Sequence, residues 1–493
     1  MGISSIGNYV NLDNENLSFG IVTVCAVCLL MLVANVIRRK IPLFRRALMP
    51  TAVIAGLLGL AIREVVLALT GVNLFSFMTL GGMIYHLLSV AFIALCLREK
   101  DNYANEFDIA KVKMERVSAA RSGALIISTY LIQALVGVLV TVFLAITILP
   151  ELNKGTGIML ALGYGQGPQQ ANATGYIWDM AGHMDAWGPG SARNFGLTIA
   201  AFGFLWASIP GIILINKIAK KKGMTINRNE YQTSGELSSY KIEGPGEVPL
   251  SESIDKFSLQ VCMVGGVYLY TIGKIILLEI LLRFSGVPFL IDLIPTFWGF
   301  AFMLAAGNAL ITKMILRRLV KTGVMHRKYP NSYMMNRIAG TSFDLAIVAA
   351  LIMVSVTTLG TLWIPVLIMS TLGGLVTMLY LRYICSYIYT DYKDEAFLAF
   401  YGMQTGTIAN GMILLREIDS GFKTPAGDDL VLGSSAAIIL GIPLLLLIAQ
   451  APRAGNIAWV AAVIAGYLLF IMLFLFKESI FRKKTQKAAD KQG

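Results

Sequence analysis

Two stretches of this chain place polar groups where an unbroken apolar run would be expected. The first reads TGIMLALGYGQGPQQANATG, Thr156 to Gly175, and the second AFLAFYGMQTGTIANGMILLRE, Ala396 to Glu417. Each mixes glycines with neutral amides and hydroxyls. The first has Gly163, Gly165 and Gly167 beside Gln166, Gln169, Gln170, Asn172 and Thr174. The second has Gly402, Gly406 and Gly411 beside Gln404, Thr405, Thr407 and Asn410. Glycine lets backbone come close to a ligand and take unusual φ angles. A helix starting at such a break would aim partial positive charge at a carboxylate. Carbonyls freed there, together with hydroxyls, are hard oxygen donors for Na+. These residue types suit the holding of a small polar solute and a cation; equally, the amides would serve to satisfy broken backbone.

Other polar residues inside apolar runs extend the set. Asp344, in IAGTSFDLAIVAALIM, would cost ~2.5–3.5 kcal/mol if left unpaired at a helix centre, so it is expected to face something polar. Coordination of Na+ or a proton is one reading, and snorkelling to a nearby interface the other. Asn308, in AAGNALI, is a further candidate ligand or interhelical glue. Arg416 follows the second stretch and would clamp a carboxylate bidentately, or complement the end of a short helix. Arg63, Glu64, Lys274 and Glu279 read as structural, and Asp391, Asp394 and Glu395 as a solvated junction. The histidines His86, His183 and His326 form no ligand cluster, and the CxxC pair Cys25 and Cys28 lies within the first apolar run. Metal catalysis has no support, and the chain is not expected to be an enzyme or to carry a cofactor beyond a coupling Na+.

The elements that must position these groups follow from composition. Of 493 residues, 56% are hydrophobic and 14% charged, against roughly 25% charged in a soluble domain. An all-α polytopic membrane protein is expected. The net charge of +12 sits in short loops between apolar spans, which favours a lipid bilayer and excludes nucleic acid as partner. Runs of spanning length fall near 20–37, 48–70, 79–97, 122–149, 191–217, 257–283, 288–315, 338–358, 361–386, 430–449 and 456–476. The two polar stretches are too short to cross, since a span needs about 20 apolar residues. Irregular backbone at membrane depth survives only where protein buries it or a cavity lines it. The first twenty residues hold no Lys or Arg, so the N-terminus is expected outside. With that start, 33 of the 41 Lys and Arg residues fall on cytoplasmic segments, the C-terminus included.

The two stretches share YGQ…AN and YGMQ…AN, about half a chain apart, which suggests a repeat. Five spans per unit put the second unit upside down relative to the first. The expectation is an inverted-topology repeat of two five-helix units, each with a re-entrant hairpin, plus one extra C-terminal transmembrane helix. The parts are an external segment (1–19), a first repeat (20–217), a cytoplasmic linker (218–256), a second repeat (257–449), and the extra helix with a basic tail (450–493). Residues 98–121 read as an interfacial helix.

These residues bring a family into view. MPTAVIAGLLGL (49–60), GYGQG (163–167), FGLTIAAFGFLWASIPG (195–211), TIGK (271–274), GNALI (307–311) and TGTIANGM (405–412), in that order over most of residues 20–449, resemble the bacterial sodium:glutamate symporter family. The resemblance implies an inner-membrane homodimer that moves a transport domain in elevator fashion. It also implies that both re-entrant tips hold L-glutamate and Na+. In GYGQGPQQANATG the chain departs from the glycine–histidine–glycine tip usual in that family. Three alternatives remain beside it: a Na+- or H+-coupled transporter or exchanger of another di- or hydroxycarboxylate, a sodium-pumping subunit of a membrane enzyme complex, and a channel.

Overall fold

The computed structural model describes residues 14–41, 44, 48–98, 109–188, 190–223, 253–291, 294–299, 301–325, 329–356, 360, 362–419, 424–453 and 457–489. Most of the expected N-terminal segment, the interior of the linker and His326 lie outside them.

In chain order the helices are α1 (Asn14–Lys40), α2 (Thr51–Thr70), α3 (Phe77–Leu97), α4 (Ile109–Thr147), α5 (Pro168–Met180), α6 (Ser191–Lys221), α7 (Ser253–Phe284), α8 (Ala301–Lys321), α9 (Ser332–Met353), α10 (Trp363–Ile388), α11 (Lys393–Thr405), α12 (Ile408–Ile418), α13 (Ala426–Leu440), α14 (Ile442–Gln450) and α15 (Ile457–Ala489). Among the described residues there is no strand, and nine helices are long and apolar enough to cross a membrane. Leu69, Leu139, Leu269, Phe284 and Leu473 face outward, as an apolar solvent permits. The chain is an all-α, multi-pass membrane protein.

Local chemistry sets the helix ends. Ser76 Oγ accepts from Thr79 N–H (3.2 Å) at the start of α3, and Asn331 Oδ1 from Met334 N–H (2.8 Å) at the start of α9. Gly71, at φ +71°, closes α2 with its N–H on the Leu67 carbonyl. The other end of α9 is closed from outside itself. Buried Arg63 of α2 donates to the carbonyls of Ile352 and Val354 and pairs with Glu64. Asp179, at the end of α5, takes the backbone N–H groups of Ala192 (2.8 Å) and Arg193 (3.2 Å), and so caps α6.

The helices form two bundles. α1, α2, α3, α7, α8 and α9 make the first, with α3 and α9 packed along their lengths. Its cores hold Val53, Ile84 and Leu351 at one end and Ile93, Ala305 and Met335 at the other. α4, α5, α6 and α10 to α14 make the second, around Leu131, Tyr164, Phe195, Phe397 and Tyr401. α15 lies on the outside of this second bundle, where Tyr467 Oη donates to the Leu440 carbonyl (2.7 Å).

Four expectations need correcting. The run 288–315 does not span as one helix: two short turns, Pro288–Ile291 and Ile294–Gly299, precede α8, which continues to Lys321. The run 430–449 is divided at Gly441 into α13 and α14, because Pro443 in the first turn of α14 has no N–H for the turn before it. From Ile109 onward the expected interfacial helix is continuous with the span, in the 39 residues of α4. Finally, α9 starts at Ser332 rather than near 338. Asp344 therefore lies about 18 Å along a 22-residue helix, near its middle rather than six residues from its start.

Candidate functional site

Both polar stretches are broken helices. The first rises through a 3₁₀ turn (Lys154–Ile158) and a π turn (Ala161–Gln166), stops at Gly167 and returns as α5. Gly167 has φ +88° and ψ 176°, a backbone open to glycine but strained for other residues, and Pro168 then opens α5 with its φ already helical. The second rises as α11, turns at Gly406 and the extended Thr407, and returns as α12. Its limbs touch at bare backbone: a Cβ on Gly402 would lie 2.8 Å from Gly411 Cα. Such contact needs glycine on both sides.

The two breaks meet. A Cβ on Gly167 would lie 3.8 Å from the Gly406 carbonyl oxygen and 3.9 Å from Thr407 Cγ2. The N-termini of α5 and α12 thus start from one place, with the partial positive charge of both helices directed there. The carbonyl-bearing end of α11 reaches the same place, which sets oxygen donors beside N–H donors. Thr407 Oγ1 donates to Asn410 Oδ1 (2.9 Å) and steadies the second turn.

Gln133, which sequence alone did not single out, and the two tyrosines of the shared motif hold the meeting point. Gln133 of α4 donates through Nε2 to the Gln404 carbonyl and to Thr377 Oγ1, both at 2.9 Å, and a Cβ on Gly165 would reach 2.8 Å from its Oε1. Tyr164 Oη donates to the Ser370 carbonyl (2.7 Å) on α10, and Tyr401 Oη to the Trp206 carbonyl (2.8 Å) on α6. Each broken element is therefore braced by a helix from the other half of the chain.

Beside the tips lies a cavity of about 270 Å³ between the two bundles. Of the expected residues it gathers Gly165, Gln166, Gln169, Gln170, Gly406, Thr407 and Asp344. Asn172, Thr174, Gln404, Thr405 and Asn410 are buried in the limbs next to it. Several of these amides lack partners among the described residues: Gln169 Nε2, Gln170 Oε1, Asn172 Oδ1, Gln133 Oε1 and both ends of Gln404. An unmet buried polar group costs about 1–3 kcal/mol. Such a concentration at one junction is expected of groups that a ligand pairs, whereas amides present only to satisfy broken backbone would already have partners.

Two candidates fall elsewhere. Arg416 is exposed in the last turn of α12, about 13 Å from the break, and does not line the cavity; its charge complements the helix C-terminus. Asn308 joins α8 to α7, accepting from Lys274 Nζ and donating to Thr271 Oγ1, each at 3.0 Å. The acidic junction also differs from expectation. Only Asp391 is exposed there. Asp394 and Glu395 are buried, paired with Arg382 and Lys222 respectively, each at 2.5 Å. These pairs tie the start of α11 to α10 and to the end of α6. Among the described residues no group of three metal-ligating side chains occurs.

No protein-family model matches this chain, and no curated protein matches it.

Proposed function

We propose that the chain is a sodium-coupled secondary active transporter importing L-glutamate or a similar small carboxylate. The observation that carries this reading is the meeting of two helix breaks at one cavity walled by both bundles, with unpaired amides around it. Broken helices whose ends converge supply N-termini for an anion and freed carbonyls for Na+. On this reading each broken element is a re-entrant hairpin, and the units 20–217 and 257–449 are inverted repeats entering from opposite faces. The matched positions of Tyr164 and Tyr401, each braced against the other unit, support that relation. The second bundle, which carries both tips, would slide against the first in elevator fashion. On this reading the protein is a homodimer in the inner membrane with its N-terminus outside, which the charge distribution and the family resemblance support.

The test is uptake of radiolabelled L-glutamate and related acids into proteoliposomes. Replacing external Na+ by K+ at fixed pH is expected to reduce uptake of the transported acid by about ten-fold or more. Unchanged uptake of every acid would contradict sodium symport. Stoichiometry is read from the potential: one Na+ with a monoanion is electroneutral, and each further Na+ adds ~2.3 kcal/mol per 100 mV.

A further inference from the structure

The cavity is chemically lopsided. On one side stand the tips, with Gln169 and Gln170 almost completely buried, each with an unpaired amide atom, beside the N-termini of α5 and α12. The facing wall comes from α3, α8 and α9 of the first bundle. Asp344 is the one charged side chain among the described residues that line the cavity, and it has no hydrogen-bond or ion-pair partner among the described residues. No Lys, Arg or His lines the space.

What surrounds Asp344 decides which cation would meet it. Phe92, Phe302 and Phe343 share its wall, with the Phe92 ring centroid 5.1 Å from that of Phe302 and 5.7 Å from that of Phe343. The remaining residues of the wall are aliphatic, methionine or glycine, so no second side-chain oxygen accompanies the carboxylate. A bare Na+ needs several oxygen ligands together, and the tips offer them while this wall does not. An organic ammonium needs one carboxylate and accepts aromatic faces around its remaining surface.

We infer that Asp344, with Phe92, Phe302 and Phe343, forms a subsite for the ammonium group of the transported solute. This rests on the transport reading and narrows it: the solute carries an amine as well as the carboxylate held by the tips. Acids in which a hydroxyl or hydrogen replaces the amine leave Asp344 uncompensated and are rejected. Asp344 is a specificity-determining residue, and the coupling ion binds at the tips.

The experiment compares matched pairs on the full-length protein in nanodiscs, in NaCl and in KCl: L-glutamate with 2-hydroxyglutarate, L-leucine with 2-hydroxy-4-methylpentanoate, and L-alanine with lactate. At least one amino acid is expected to bind about ten-fold or more tightly than its hydroxy partner, as a lost charge-assisted hydrogen bond requires. Asp344→Asn is expected to bring that pair to near-equal affinity while the residual binding keeps its dependence on Na+. Equal binding within every pair by the unmodified protein overturns the ammonium subsite and leaves transport standing; this arm does not depend on the variant folding. Loss of Na+ dependence in Asp344→Asn with the pair ratio intact also overturns it, making Asp344 an ion ligand. If no member of any pair binds in either salt, the transport reading falls as well.

Discussion

Gly402→Val is expected to unfold the second broken helix. The Cβ would stand 2.8 Å from both the N and Cα of Gly411 and 2.9 Å from the Asn410 carbonyl carbon, all of them backbone, so relief requires moving α12 bodily. Overpacking a close interior costs about 1–3 kcal/mol, and more where the obstacle is main chain. The expected outcome is loss of monodisperse protein, or a fall of many degrees in the thermal midpoint in detergent. Gly466→Val on α15 is the control. A Cβ there meets nothing within 4 Å, and the midpoint should hold. A Gly402→Val protein as stable as the control would show that the limbs of α11 and α12 are not in contact.

The second large effect is expected at Gln133. Replacing it with leucine preserves volume but removes both hydrogen bonds that tie α4 to the second tip and to α10, leaving the Gln404 carbonyl and Thr377 Oγ1 without that donor. The cost in stability is about 2 kcal/mol. The functional cost is larger, because tip position within a fraction of an ångström sets binding geometry. Uptake by Gln133→Leu is expected to fall by about ten- to hundred-fold, with most of the protein still folded. Wild-type uptake would mean that the tips are held by other contacts.

The broken elements were legible because their glycines, proline and amides interrupt short apolar runs, and no unbroken span tolerates that pattern. Gln133 was not. A lone glutamine in LIQALVG looks like helix glue, and its partners stand 244 and 271 residues away, a distance only the fold closes. Arg416 misled for the opposite reason. Nearness in sequence to the break says nothing of which way a helix carries the side chain, and α12 carries it away from the cavity. The burial of Asp394 and Glu395 was hidden because Arg382 and Lys222, which neutralise them, come from two other helices. Some signals were present and unread: Asn331–Ser332 marks the capped start of α9 and so the mid-helix position of Asp344, and Gly441 with Pro443 marks the division of the run 430–449.

Transport by this chain requires the two breaks to face each other across one solute site. The direct measurement is thiol cross-linking in membranes, with the five native cysteines replaced, read by mass spectrometry of the joined peptides. A short bifunctional reagent is expected to link Gln166→Cys to Thr407→Cys efficiently, and to leave Gln166→Cys with Arg416→Cys unlinked, since Arg416 lies in the last turn of the limb, about 13 Å from the break. Failure of the first pair, or linkage of the second in its place, would mean that the tips do not meet.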